Sequence, residues 1–195
     1  MKAIFTSLLA FLVVPLSVIA EPWKMDFVTK DEWEAASTSV SRLSPDAFPA
    51  LPPAVAEDLN RRGCTIPQSV YPAEPNNVIS GHFQDPTSTD WAVLCSRNWN
   101  STILVYWGGS ADNVGELGCL SADRSWLQGG SGDSIEFSRL IATAEIETLN
   151  HYRGELLNPG GPKFEHEGVV EAFLDKFSTI YYWHDGEWHE IDGAD

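Results

Sequence analysis

The chain of 195 residues predicts an α+β fold: a single domain, mainly antiparallel sheet, with two β-hairpins and two or three short helices packed on it. Three observations predict it. Trp91 to Ser96 and Thr102 to Trp107 are two runs rich in β-branched and aromatic residues, separated by Arg97 to Ser101, a span that suits a hairpin loop. Near the C-terminus, Asp185-Gly186 sits between two further aromatic runs and has the composition of a two-residue type I′ turn. Between residues 52 and 63, prolines open and a glycine closes a segment whose Val55 and Leu59 lie one helical turn apart.

Residues 1–20 read as a separate object. Lys2 precedes an apolar run from Ala3 to Ile19, and Ala20 is a small residue suited to cleavage, the pattern of a secretory signal peptide. No Cys follows the cleavage point, so lipid attachment there is not expected, and no later segment is apolar enough to cross a membrane. The domain is therefore expected to run from Glu21 to Asp195 in a periplasmic or secreted protein, without stable membrane insertion once the leader is removed.

Twelve Lys and Arg face 28 Asp and Glu, a formal net charge of -16, and removing the leader takes one Lys with it. Such a surface repels nucleic acid and anionic lipid and keeps a monomer soluble. Three cysteines, Cys64, Cys95 and Cys119, allow one disulfide in an oxidising compartment and leave one thiol over. Cys64 with Cys95 is favoured because each sits at the edge of a predicted element, with the other two pairings open. No CxxC or Cys/His metal spacing is present.

Taken in order, Thr29-Lys30-Asp31-Glu32 is a capping box, Thr29 as N-cap and Glu32 three residues on, and predicts a short helix to about Ser37. Ser39 to Pro49 reads as loop. The helix after Pro52-Pro53 ends with Arg61 and Arg62 in its last turn and Gly63 as cap. Pro67 to Asn77, with three prolines, is an irregular connection that delivers Val78 and Ile79 as a strand. The central strands are apolar on both faces, so both faces should be covered. Gly108 to Gly132 reads as loop with one turn around Ser125 to Leu127, and Ile135 to Tyr152 as a strand followed by a short helix. After a break at Asn158 to Pro162, the apolar set Val169, Val170, Phe173 and Leu174 predicts a helix over Glu167 to Lys176. The last hairpin, Ser178 to Ile191, has its register fixed by the turn: His184 opposite Glu187, Trp183 opposite Trp188, Tyr182 opposite His189 and Ile180 opposite Ile191.

Gly81 to Trp91 carries Gly81, Phe83 and Asp90 in the places they hold in the loop of an FG-GAP (VCBS-type) repeat, which it resembles, with Trp91 at the apolar position. Thr102 to Gly109 resembles the second strand and closing turn of that repeat. The family's loop binds calcium through oxygen ligands, but here His82, Gln84, Pro86 and Thr89 stand at those positions and leave too few donors for a Ca²⁺ shell of six or more. A propeller of such repeats needs at least four blades, and a complete one is not expected from one clear unit and a terminal hairpin. The chain as a whole also resembles a group of uncharacterised exported bacterial proteins, which implies compartment and one-domain architecture and supplies no activity.

Nucleophilic catalysis lacks its motif, since neither Ser80 nor Ser110 sits in a GxSxG elbow. Carboxylate pairs such as Asp112 with Glu116, or Glu165 with Glu167, arise by chance in a chain this acidic. His184, Glu187 and His189 share one hairpin face at a spacing that could suit zinc, while Tyr182 and Ile191 on the same face point to ordinary cross-strand packing. Trp99, between Asn98 and Asn100, stands on a loop where no alternation demands its burial. The expectation is a non-catalytic binding or interaction protein without a cofactor, presenting Trp99, Asn98 and Asn100 to a protein or saccharide. The alternative is a metal-assisted hydrolase at the C-terminal hairpin.

Overall fold

The computed structural model describes residues 29–130, 134–155 and 163–193. The expected leader and the break at Asn158 to Pro162 lie outside the described residues. In chain order the elements are α1 (Lys30–Ser39), β1 (Arg42–Leu43), α2 (Pro53–Arg62), β2 (Ile66–Pro67), β3 (Val78–Gly81), β4 (Asp90–Arg97), β5 (Asn100–Tyr106) and β6 (Val114–Ala122). Then come β7 (Leu127–Gly129), β8 (Ile135–Phe137), β9 (Arg139–Ala144), α3 (Ile146–Glu155), β10 (Gly168–Phe173), β11 (Phe177–His184) and β12 (Glu187–Asp192). Among the described residues no helix is long and apolar enough to cross a membrane.

Local chemistry places both early helices. The Thr29 hydroxyl accepts from the Glu32 amide at 3.3 Å while the Glu32 carboxylate accepts from the Thr29 amide at 2.7 Å, so two otherwise orphaned donors at the start of α1 are satisfied. In α2 Val55 and Leu59 are buried, and Gly63 closes the helix in left-handed backbone at φ +72°. Cys64 follows at once and bonds to Cys95 of β4, with Cα atoms 5.1 Å apart, as the sequence favoured. Cys119 is free and exposed.

Two four-stranded antiparallel meanders carry the domain, β3-β4-β5-β6 and β9-β10-β11-β12. Two-stranded pairs, β1 with β2 and β7 with β8, lie outside them. Ala92, Leu94, Ile103, Val105 and Leu117 of the first sheet share one core with Ile141, Val169 and Tyr181 of the second, so the sheets pack face to face. The opposite face of the first sheet, Val93, Cys95, Leu104 and Tyr106, packs on Val55 and Leu59 of α2. The opposite face of the second, Ile180, Tyr182 and Ile191, packs on Leu149 of α3. The layers therefore run helix, sheet, sheet, helix, and the central strands are covered on both faces.

Three expectations of element type fail. The glycine-rich stretch read as loop contains β6, whose pairing to β5 shifts register between Ser101 and Ile103. Gly118, at φ +66°, sits in that irregularity, and a Cβ there would lie 3.0 Å from the Tyr181 hydroxyl and 3.1 Å from a Glu171 carboxylate oxygen. The helix expected over Glu167 to Lys176 is instead strand β10. Val169 faces the shared core and Val170 the α3 side, and adjacent apolar residues on a doubly covered strand imitate a helical stripe. Ser39 to Pro49, read as loop, holds β1 and a 3-10 turn at Pro45–Ala47.

A buried polar network crosses the sheet interface. Arg139 donates through Nε to Glu171 at 2.7 Å and through Nη1 to the Ser101 carbonyl at 2.9 Å and hydroxyl at 2.7 Å. Its guanidinium also lies 4.5 Å from the Trp126 ring centroid. Glu171 accepts from the Tyr181 hydroxyl at 2.9 Å, and burial followed by the Glu171 charge and hydrogen bond raises the Tyr181 pKa well above its ordinary value. At one edge Asn77 takes positive φ, and its amide donates to the Pro67 and Arg139 carbonyls while its oxygen accepts from Ile141 N at 2.9 Å. One side chain thereby ties the β3 end of the first sheet to β9 of the second.

Candidate functional site

The expected loop from Arg97 to Ser101 is tighter than a loop. Arg97 pairs with Asn100, so Asn98 and Trp99 form a two-residue turn with φ +50° and +62°. Positive φ at both central positions is the type I′ pattern, which Asn followed by Gly fills at least cost. Asn98 suits it. Trp99 does not, because a Cβ at positive φ crowds the following carbonyl and costs about 1 to 2 kcal/mol. The residue is nonetheless 50% exposed.

What lies beneath Trp99 is built from three distant segments. The Arg42 guanidinium of β1 sits 4.5 Å from the Trp99 ring centroid and pairs through Nη1 with Asp123 at 2.7 Å. Asp123 accepts from the Ser96 hydroxyl at 2.5 Å, and its own amide donates to the Trp99 carbonyl at 2.8 Å. Asn100 donates to the Asn98 carbonyl at 2.8 Å and closes the turn. Among the described residues four buried side-chain polar atoms lack a partner, and three of them, Arg42 Nε, Arg42 Nη2 and Asp123 Oδ1, belong to this pair. A strained aromatic thus stands on a buried ion pair that is incompletely satisfied among the described residues.

Two grooves meet at the turn. One, of about 540 Å³, runs between Trp99 and α1 and is lined by Trp33, Ser37 and Thr38 together with Lys30 and Arg124. The other, of about 490 Å³, lies on the α2 side and is lined by Arg62, Arg97, Asn98 and Leu120. Asn100 lines both. Of the candidate binding residues, Asn98 and Trp99 form the turn and Asn100 flanks it, with Trp99 lining the first groove and Asn98 the second. The structure adds Trp33, Arg42 and Arg124, which no local pattern marked.

Comparisons with family models, curated proteins and solved structures find no match. The function rests on geometry.

At the C-terminal hairpin the register is the one expected, His184 opposite Glu187 and Trp183 opposite Trp188, with Asp185 and Gly186 both at positive φ. His184, Glu187 and His189 share a face, the two imidazole centroids 6.0 Å apart. His184 Nε2 lies 3.5 Å from Asp185, and His189 Nε2 lies 3.7 Å from Glu187. Among the described residues no group of three or more His, Cys, Asp or Glu is placed so as to hold a metal ion. The adjoining groove, about 760 Å³, is larger than those at Trp99. Its aromatic surfaces are already engaged: His166 stacks on Tyr182 with centroids 4.3 Å apart, Phe164 meets the same ring edge-on at 4.5 Å, and Trp183 packs against both Trp107 and Trp188, which also stack on each other.

At the start of β4, Asp90 is fully buried and its carboxylate takes four protein donors. Phe83 N, Gln84 N and the Ser88 hydroxyl each donate to Oδ2 at 2.9 Å, and Gly108 N donates to Oδ1 at 2.7 Å. Asp90 thus pins the loop after β3 to the closing turn of the hairpin through these hydrogen bonds.

Proposed function

We propose that the protein is a non-catalytic, exported, monomeric binding protein that takes a saccharide at the Trp99 turn. The observation that carries the proposal is Trp99 itself: a half-exposed tryptophan held in left-handed backbone that glycine would occupy without strain. Sugar rings stack on such a face, and the groove beside it offers the Ser37 and Thr38 hydroxyls and the Asn100 amide as hydrogen-bonding groups. Export is supported by the N-terminal apolar run and by the Cys64–Cys95 bond. The degenerate FG-GAP-like loop fits this reading as a structural element without calcium.

Trp99→Gly is the test. It removes the ring and leaves Asn-Gly, the pair that the turn prefers, so relief of strain offsets the loss of the Arg42 stacking, worth about 0.5 to 1 kcal/mol at an exposed site. The expected outcome is a melting temperature within a few degrees of wild type together with loss of binding on a glycan array and to isolated cell wall. Glycan binding that survives the substitution unchanged would remove the Trp99 surface from the account.

A further inference from the structure

We infer that the saccharide taken at the Trp99 turn is acidic, a glycan bearing ring carboxylates, an inference that rests on the binding role proposed above. The chain carries 28 acidic side chains against 12 Lys and Arg, so a surface groove would be expected to be lined mostly by carboxylates. The two grooves that meet at Asn100 reverse this. They are lined by Lys30, Arg62, Arg97 and Arg124, and Glu34 is the one carboxylate among their lining residues. With Arg42 against Trp99, five of the chain's 12 basic side chains gather at this end.

Not all of these charges are available to a ligand. Arg42 is held by Asp123 and Arg62 by Asp58. Lys30 lies 3.9 Å from Glu34 in an exposed pair, which screening leaves weak. Arg97 and Arg124 are exposed and make no ion pair with the described residues. Each sits next to the turn: Arg97 is its first flanking residue, and Arg124 follows Asp123, whose amide binds the Trp99 carbonyl. Arg124 lines the groove that Trp99 lines, and Arg97 lines the groove on the other side of the turn, each guanidinium without an ion pair among the described residues. A guanidinium matches the planar carboxylate of a uronic acid with two parallel hydrogen bonds.

The net negative charge of the whole chain does not forbid this. At physiological salt the Debye length is about 8 Å, so a ligand in the grooves responds to the nearby arginines more than to carboxylates on distant faces. The same screening makes the attraction sensitive to salt.

Oligogalacturonate and its methyl-esterified form share one backbone and differ in charge, so titrating both against wild type, Arg97→Gln/Arg124→Gln and Trp99→Gly decides the matter. Wild type should bind the free acid at least tenfold more tightly than the ester, with the difference shrinking as salt is raised. The double arginine variant, folded by its unchanged melting temperature, should lose that preference, and Trp99→Gly should weaken both forms together. Equal affinity for acid and ester, or no binding of either at millimolar concentration, would overturn the acidic ligand. Equal affinity that still depends on Trp99 would do so while leaving the saccharide role standing. Tighter binding of a single-stranded DNA oligomer than of oligogalacturonate would also overturn it, by assigning the patch to a different polyanion.

Discussion

Arg139 is the residue on which the two sheets most depend for polar continuity. It is fully buried and bonded to Glu171 from β10, and to Ser101 of β5. Removing one partner of a buried pair strands the other charge, at a cost of about 3 to 5 kcal/mol. Arg139→Met should therefore destabilise strongly in urea unfolding, and Arg139→Met combined with Glu171→Gln by clearly less than the two single changes added. Asp58 allows a pH test. Burial alone would raise its pKa, but hydrogen bonds from Arg62 and Tyr106, with the charges of Arg62 and Arg61, outweigh burial and lower it. A carboxylate with a depressed native pKa contributes stability that is complete above its unfolded value, about 3.9, and is lost as pH falls through the native value. Asp58→Asn should cost about 2 kcal/mol at pH 7, the order of a charged hydrogen bond, and the difference from wild type should narrow below about pH 4. An unchanged gap at pH 2 would contradict the assignment.

At the scale of elements, legibility followed locality. The Thr29 capping box, the Gly63 cap and the Asp185-Gly186 turn each depend on residues within a few positions, and each stands in the structure as the sequence predicts. β6 and β10 depend on partners far along the chain: β6 is specified by β5, with Gly118 hiding its alternation, and β10 is covered on both faces by elements that no short window contains. The Trp99 turn was half legible. Asn98 is what a type I′ turn asks for, but tryptophan in the second position masks it, and Arg42 and Asp123 reach it only through the tertiary fold. The Cys64–Cys95 bond ties the end of α2 to β4 across 31 residues, and closing a loop of that length stabilises by about 3 to 4 kcal/mol in the chain-entropy picture. Replacing both cysteines with serine should lower the urea midpoint accordingly, and non-reducing peptide mapping should find Cys119 unpaired.

For the whole molecule, calcium and the choice of groove are the consequences that matter. Asp90 already receives four protein donors, and His82, Gln84, Pro86 and Thr89 occupy the neighbouring positions, a set poor in oxygen ligands for Ca²⁺. Millimolar Ca²⁺ should leave the melting temperature where Mg²⁺ leaves it, whereas a rise of several degrees specific to Ca²⁺ would show an ion bound to the native state. The helix, sheet, sheet, helix layering leaves grooves at the Trp99 turn and at the C-terminal hairpin, and the account places the ligand at the first. Amide hydrogen exchange with and without oligogalacturonate separates them most directly. The account predicts added protection in α1, at residues 97–101 and at 122–124, with residues 163–166 and 182–191 unchanged. Protection confined to the hairpin groove, with the Trp99 turn unaffected, would contradict it.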